Sequence, residues 1–385
     1  MQQFGQVYLL KLGTGYVHHN YHPDGIENEY CDADSYRNDN NGNPQVRSNE
    51  VFAYVDNLFN FGELDAGLRF VSHRIGGRSF PRFEPRASVR VNVTEDYSVK
   101  ASYARINQYV QQVSSNYISL PTDLWQPVGK GLEPLGSDQY SVGVYGNLPR
   151  EMFFSVEGWY KQMRNLVEYR EGISSIDPKL DWDDKITGGK GWAYGVDLSV
   201  TKEFGKVRGT VSYGLMWNWR KFDKLNGGLK FPAKFDNRHK ININATYRLN
   251  EKIEFNAGWT FMTGNRMTVA LYNYDEPTDF FPDAPTTGIG PNDYHGSLTE
   301  GIGYYSGRNN VRLPAYQRLD IGMSLYKKLK NGHRSIWNFS LYNAYCYMNA
   351  MTIKKEDMGY GTIDRNFRKL CLLPVIPSVS YTYEF

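Results

Sequence analysis

Three histidines stand close together near the start of the chain, His18, His19 and His22. Imidazole nitrogens at that spacing could hold a transition metal or contact a haem. No second group of ligands accompanies them, and a solvated loop edge is the default reading, so no metal or other cofactor is assigned. The stretch Asp32-Ala33-Asp34-Ser35-Tyr36, followed by Asn38-Asp39-Asn40-Asn41-Gly42-Asn43, is rich in oxygen ligands. Tyr36 stands where an EF-hand requires Asp or Asn, so a polar, turn-rich loop is the default and calcium in 32–43 stays open. Gly188-Gly189-Lys190-Gly191 does not lead from a strand into a helix, as a phosphate loop would. The chain contains no G-x-S-x-G or H-E-x-x-H motif, and nothing in it points to an enzyme.

Two other stretches suit capture better than catalysis. One contains Tyr117 and Trp125. The other carries Tyr272, Tyr274, Phe280, Phe281, Tyr294, Tyr304 and Tyr305, interleaved with Asp275, Asp279, Asp283 and Asp293. Aromatic faces mixed with carboxylates can stack on and hydrogen-bond to sugars, peptides or chelates. A loop packed on itself explains them as well. Tyr117, Trp125, Tyr272, Tyr274, Tyr294, Tyr304 and Tyr305 are the candidate ligand-binding residues.

The elements that would carry these loops show a period of two. Ile241, Ile243, Ala245, Tyr247 and Leu249 alternate with Asn242, Asn244, Thr246 and Arg248. Ala87 to Thr94, Trp192 to Val200, Val207 to Trp217 and Leu319 to Leu325 behave alike, and no helical period competes. We read fourteen strands, near 4–17, 49–60, 63–74, 84–94, 97–109, 138–147, 151–163, 191–204, 206–221, 237–249, 252–267, 315–329, 334–345 and 367–385. Tight turns at Phe61-Gly62, Thr94-Glu95-Asp96, Asn147-Leu148-Pro149, Phe204-Gly205, Asn250-Glu251 and Leu329 to Gly332 alternate with longer connections near 18–48, 110–137, 164–190, 222–236, 268–314 and 346–366. A shorter connection lies near 75–83.

That alternation of short and long is the habit of an outer-membrane β-barrel. Aromatics mark both rims: Phe59, Tyr97, Phe154, Tyr247, Phe255, Trp337, Tyr383 and Phe385 lie beside the short turns, and Tyr160, Trp192, Trp217 and Trp259 lie nearer the middle or the other end. The opposite face is polar, with Arg86, Arg90, Asn92, Lys100, Asp197, Asn242, Asn244, Arg248 and Asp320, and predicts a wet lumen or a polar plug. The final strand ends on Tyr381, Tyr383 and Phe385, one aromatic band reaching the last residue.

Composition agrees. No stretch of about eighteen apolar residues offers a transmembrane helix. A mean hydropathy of −0.57 is compatible with a barrel, because only alternate strand residues meet lipid. A net charge of +3 without a dense basic patch argues against a nucleic-acid partner. Cys31, Cys346 and Cys371 form no disulfide framework. The start, Met1-Gln2-Gln3-Phe4-Gly5, lacks the pattern of an export signal, which suggests a missing natural beginning.

The segments LPTDLWQPVGKGLEPLGSDQYSVGVYGNLP (120–149), NLVEYREG (165–172), GWAYGVDLSV (191–200), RHKININATYRL (238–249), NNVRLPAYQRLDIGMSL (309–325) and the ending PVIPSVSYTYEF resemble the C-terminal barrel of TonB-dependent outer-membrane receptors. Within that family they are similar to receptors importing glycans and other large nutrients, some with a carboxypeptidase-like N-terminal module. The resemblance implies an all-β transmembrane barrel of about twenty-two strands around an N-terminal plug that binds TonB. About fourteen strands are present here, so residues 1–385 read as the C-terminal part of one barrel domain, with plug and signal peptide absent. Implied partners are outer-membrane lipid, the barrel-assembly machinery reading Tyr381, Tyr383 and Phe385, TonB only through the missing plug, and a possible surface lipoprotein. The alternatives are a self-contained fourteen-stranded passive porin and an outer-membrane barrel enzyme.

Overall fold

The computed structural model describes residues 2–4, 8–21, 45–59, 63–113, 124–128, 131–171, 173, 184–274, 302–329, 332–355, 367–371 and 373–385. The connection holding His22 and residues 32–43, and the positions of Cys31, Tyr117 and Tyr294, lie outside them.

Fourteen long strands dominate: β1 Tyr8–Tyr21, β2 Val46–Phe59, β3 Leu64–Ile75, β4 Arg78–Asn92, β5 Tyr97–Gln108, β6 Leu135–Leu148, β7 Met152–Tyr169, β8 Ile186–Lys202, β9 Val207–Lys221, β10 His239–Arg248, β11 Ile253–Met262, β12 Tyr316–Lys328, β13 Arg334–Tyr342 and β14 Ile376–Glu384. With the short Gln2–Phe4 and Phe231–Pro232 they form one sixteen-stranded antiparallel sheet whose order follows the chain. Gln2–Phe4 pairs with β1 at one edge, and β14 forms the other, bonded only to β13 among the described residues.

Register fixes the two faces, because residues directly opposite across a ladder share a side. Ala245, Ala257, Ile321, Leu341 and Pro377 follow one another across β10 to β14, and Tyr247, Phe255, Met323, Phe339 and Val379 form the next row. That surface is apolar and exposed, as a lipid-facing wall must be. The opposite face pairs its charges across strands. Arg86 binds both oxygens of Asp56, Arg69 bridges Glu50 at 3.1 Å and Glu84 at 3.3 Å, and Arg208 meets Glu254 at 2.7 Å. Trp159 Nε1 donates to Asp197 at 2.8 Å, and Thr260 donates to Asn242 at 3.2 Å. The polar lumen is therefore a cross-strand network.

The first strand runs on to Tyr21, so His18 and His19 are strand residues rather than loop residues. A second correction concerns 75–83. β3 and β4 meet there in a two-residue turn, Gly76-Gly77, with φ of 55° and 78°. Consecutive left-handed residues are what a tight hairpin demands, and glycine supplies them without strain. The strict alternation of short and long connections is broken at this point.

Candidate ligand-capture face

The long connections all leave the sheet at one end, and there they are held by short hairpins and by buried carboxylates. Val110–Val113 pairs with Leu124–Pro127, Arg266–Met267 with Val311–Arg312, Tyr272–Tyr274 with Ile302–Tyr304, and Ala350–Lys355 with Phe367–Cys371. Beneath them Phe222, Leu225, Phe231 and Leu166 form an apolar cluster that anchors the β9–β10 connection.

Asp236 is the principal hub. It is 1% exposed, and its Oδ2 accepts from Arg238 at 3.3 Å, Arg266 at 3.2 Å and Arg312 at 2.9 Å. Its Oδ1 accepts the backbone N–H of Asn218 at 3.0 Å. Arg312 also donates to the carbonyl of Gly264 at 2.9 Å, tying the two loop segments together. Burial, and then the neighbouring Arg266, lower the proton affinity of Arg312 against the pull of Asp236. Glu168 is a second hub, taking Arg220 on one oxygen at 2.7 Å and Arg308 on the other. A carboxylate with several charge-assisted bonds is strongly oriented, so the segments around Arg238, Arg266, Arg308 and Arg312 are held in place.

The candidate aromatics distribute unevenly on this platform. Trp125 sits on a hairpin strand opposite Gln112 and is 55% exposed. Tyr304 and Tyr305 are also exposed. The backbone of Tyr272 pairs with that of Tyr304, and Tyr274 with Ile302, so two halves of the long 268–314 connection meet. Trp125 and the Tyr272–Tyr304 hairpin stand on different connections, and no contact between them is recorded among the described residues. The carboxylates Asp275, Asp279, Asp283 and Asp293 lie outside the described residues.

Sequence reasoning missed the arginine hubs. The signal was present as isolated arginines at strand ends, Arg238 before β10 and Arg312 before β12, but their shared partner could not be read from spacing. His18 meets Asn49 at 2.8 Å, and His19 stacks on Tyr21 and approaches His73. The described residues hold no group of three or more His, Cys, Asp or Glu able to bind a metal.

The family model for the TonB-dependent receptor-like β-barrel matches residues 2–344. The chain therefore belongs to the TonB-dependent receptor β-barrel family, whose place is the outer membrane. No curated protein matches it. Among solved structures it is similar to the FrpB iron transporter from Neisseria meningitidis (F5-1 variant), with a TM-score of 0.60 and 11% identity over 100% of this chain and 54% of that one. It is similar to P. aeruginosa FpvA bound to heterologous pyoverdines, with a TM-score of 0.55 and 16% identity over 92% of this chain and 44% of that one. The siderophore receptor PirA from Acinetobacter baumannii gives 0.55 and 14% over 89% and 49%. The chain spans about half the length of these structures. At such identities they establish the fold, and they are receptors and transporters rather than enzymes.

Proposed function

We propose that this chain is the ligand-gripping part of an energy-coupled importer of a large nutrient, a metal chelate, glycan or peptide, and that it takes part in uptake without covalent chemistry. The observation that carries the reading is the set of exposed aromatics at the long-connection end, Trp125 on one connection and Tyr304 and Tyr305 on another, the latter braced through Arg308 to Glu168 and through Arg312 to Asp236. Iron transporters and siderophore receptors among the similar structures favour a chelate. The remaining strands and a plug would come from further sequence pairing at the sheet edges. The alternative of a self-contained porin is disfavoured because β14 and the β1 edge share no pairing among the described residues.

The experiment is uptake by cells making the complete receptor, with and without TonB. Uptake is expected to stop without TonB, and TonB-independent uptake would favour the porin. Replacing Trp125, Tyr304 and Tyr305 together by Ala is expected to weaken ligand binding about tenfold or more, as loss of exposed aromatic anchors does, with the amount of folded barrel unchanged. Unaltered binding would move the ligand site elsewhere.

A further inference from the structure

The membrane-facing surface carries a cavity that neither the capture face nor the lumenal network uses. Strand pairing sets its side. Ala87 lies opposite Tyr103, Tyr103 opposite Tyr140 and Tyr140 opposite Tyr160, a row on the apolar face. Phe83, opposite Phe70, belongs to the same face. Two residues further toward the long connections, that face carries Arg105, Asp138 and Gln162, and two beyond those Asn107, Gly136 and Arg164. Arginines thus stand directly above a band of tyrosines on the wall that meets lipid.

Their geometry is built rather than incidental. Asp138 is 3% exposed. Its Oδ1 accepts from Arg105 Nε at 2.6 Å and from the Tyr103 hydroxyl at 2.8 Å, and its Oδ2 lies 2.6 Å from Arg164 Nη2. Arg105 and Arg164 line a cavity of about 370 Å³ together with Arg82, Phe83 and Asn107. Arg82 is paired with Glu133, which also receives Arg78 at 3.6 Å. Two guanidiniums, those of Arg105 and Arg164, therefore share Asp138 on the apolar face, while Arg82, which the register places with Glu84 and Arg86 on the other side of β4, closes the rim with its partner Glu133. One carboxylate uses one edge of Arg105 and of Arg164, while both side chains keep substantial exposure beside the cavity. Below them Phe83 is 60% exposed and Val142 58%.

A cationic cavity continuous with an apolar strip matches a molecule with an anionic head and hydrocarbon tails. Guanidinium recognises phosphate through paired N–H donors, and arginines near the interface cost the wall little. We propose that this cavity seats the phosphate-bearing headgroup of a lipid in the outer leaflet, its acyl chains lying over Phe83, Tyr140 and Val142. The occupant is a membrane lipid rather than a soluble anion because the cavity shares its face with the apolar wall.

The test uses the complete receptor extracted from its own outer membrane in mild detergent, with native mass spectrometry and bound-phosphorus analysis of the folded fraction. Wild-type protein is expected to retain phosphorylated lipid through repeated detergent exchange. R105Q/D138N/R164Q, which removes the cluster's charges together and leaves no unpaired carboxylate, is expected to retain at least tenfold less. Equal retention by the variant would overturn the proposal. So would inorganic phosphate stripping the lipid at millimolar concentration, which would make the cavity a soluble-anion site. Should the triple variant fail to fold, R82Q on the cavity rim is expected to lower retention severalfold, and unchanged retention there would overturn the proposal equally.

Discussion

The two ends of the sheet are held by different means. At the short-turn end the local chain suffices. Thr94 Oγ1 accepts the N–H groups of Asp96 and Tyr97, and Asn250 Oδ1 accepts those of Lys252 and Ile253. Each turn is closed by residues two or three positions apart, and aromatic contacts such as Tyr97 with Phe154 and Trp337 with Tyr381 band the strands just inside. At the opposite end only the Gly76-Gly77 hairpin is so local, and the long connections need more. Arg308 reaches Glu168 across 140 residues of sequence, and Arg312 reaches Asp236 across 76. Turn chemistry can close a hairpin but cannot position a long connection, so that end relies on buried carboxylates collecting distant arginines.

The comparison breaks first at Asp236. Asp236→Ala leaves three arginines facing one another, and removing one partner of a buried ion pair costs several kcal/mol. A loss of about 3 kcal/mol is expected, at the low end because the arginines keep some contact with water. The unfolding midpoint in urea, followed by heat-modified gel mobility, measures it. A midpoint equal to that of wild type would mean that the hub is not what fixes the loops.

The assignment of faces is sharpened by a neighbouring pair on β11. Ala257→Arg puts a charge on the lipid side near mid-wall and is expected to cost about 2–4 kcal/mol. Asn256→Arg enters the polar lumen and should cost well under half of that. Reversal of the two would reverse the faces.

At the short-turn end the final residue comes next. Phe385 is 97% exposed, and its ring lies 5.6 Å from Tyr383 and 6.4 Å from His333. Because it buries so little, its deletion should barely alter the stability of barrel already folded. We expect it to reduce the amount of barrel inserted, measured by outer-membrane fractionation, if the assembly machinery reads Tyr381, Tyr383 and Phe385. Normal amounts of folded protein would remove that role. The smallest effect belongs to Arg334, which meets Glu384 at 3.7 Å with both side chains about half exposed. Arg334→Ala should lower the unfolding free energy by no more than about 0.5 kcal/mol, read from the urea midpoint.

These differences explain what could be read from sequence. Strands such as 239–248 declare themselves, because alternation is a property of neighbouring residues and the sheet order repeats the chain order. The segment RSFPRF (78–83) did not, since a proline inside it argues against a strand. The structure resolves the conflict. Up to Pro85, β4 is paired with β3 alone, and pairing with β5 begins at Arg86. Pro81 and Pro85, four residues apart, present their nitrogens to the same edge of the strand, so an unpaired edge is available to both. Trp125 and Tyr304 were legible as aromatics on long connections, but Asp236 and Glu168 were not legible as hubs. A hub is defined by which distant arginines converge on it, and neither period nor spacing records that.

The sheet order has a mechanical consequence. Among the described residues each long strand is bonded only to its nearest neighbours along the chain, so tension applied at Phe385 loads the ladder between β14 and β13 one pair of hydrogen bonds at a time. The wall would yield as a zipper, releasing one hairpin after another in a sawtooth of modest forces. The largest peaks are expected where the chain being pulled must also tear Arg312 from Asp236 and Arg308 from Glu168, so the loop hubs would act as rivets against peeling.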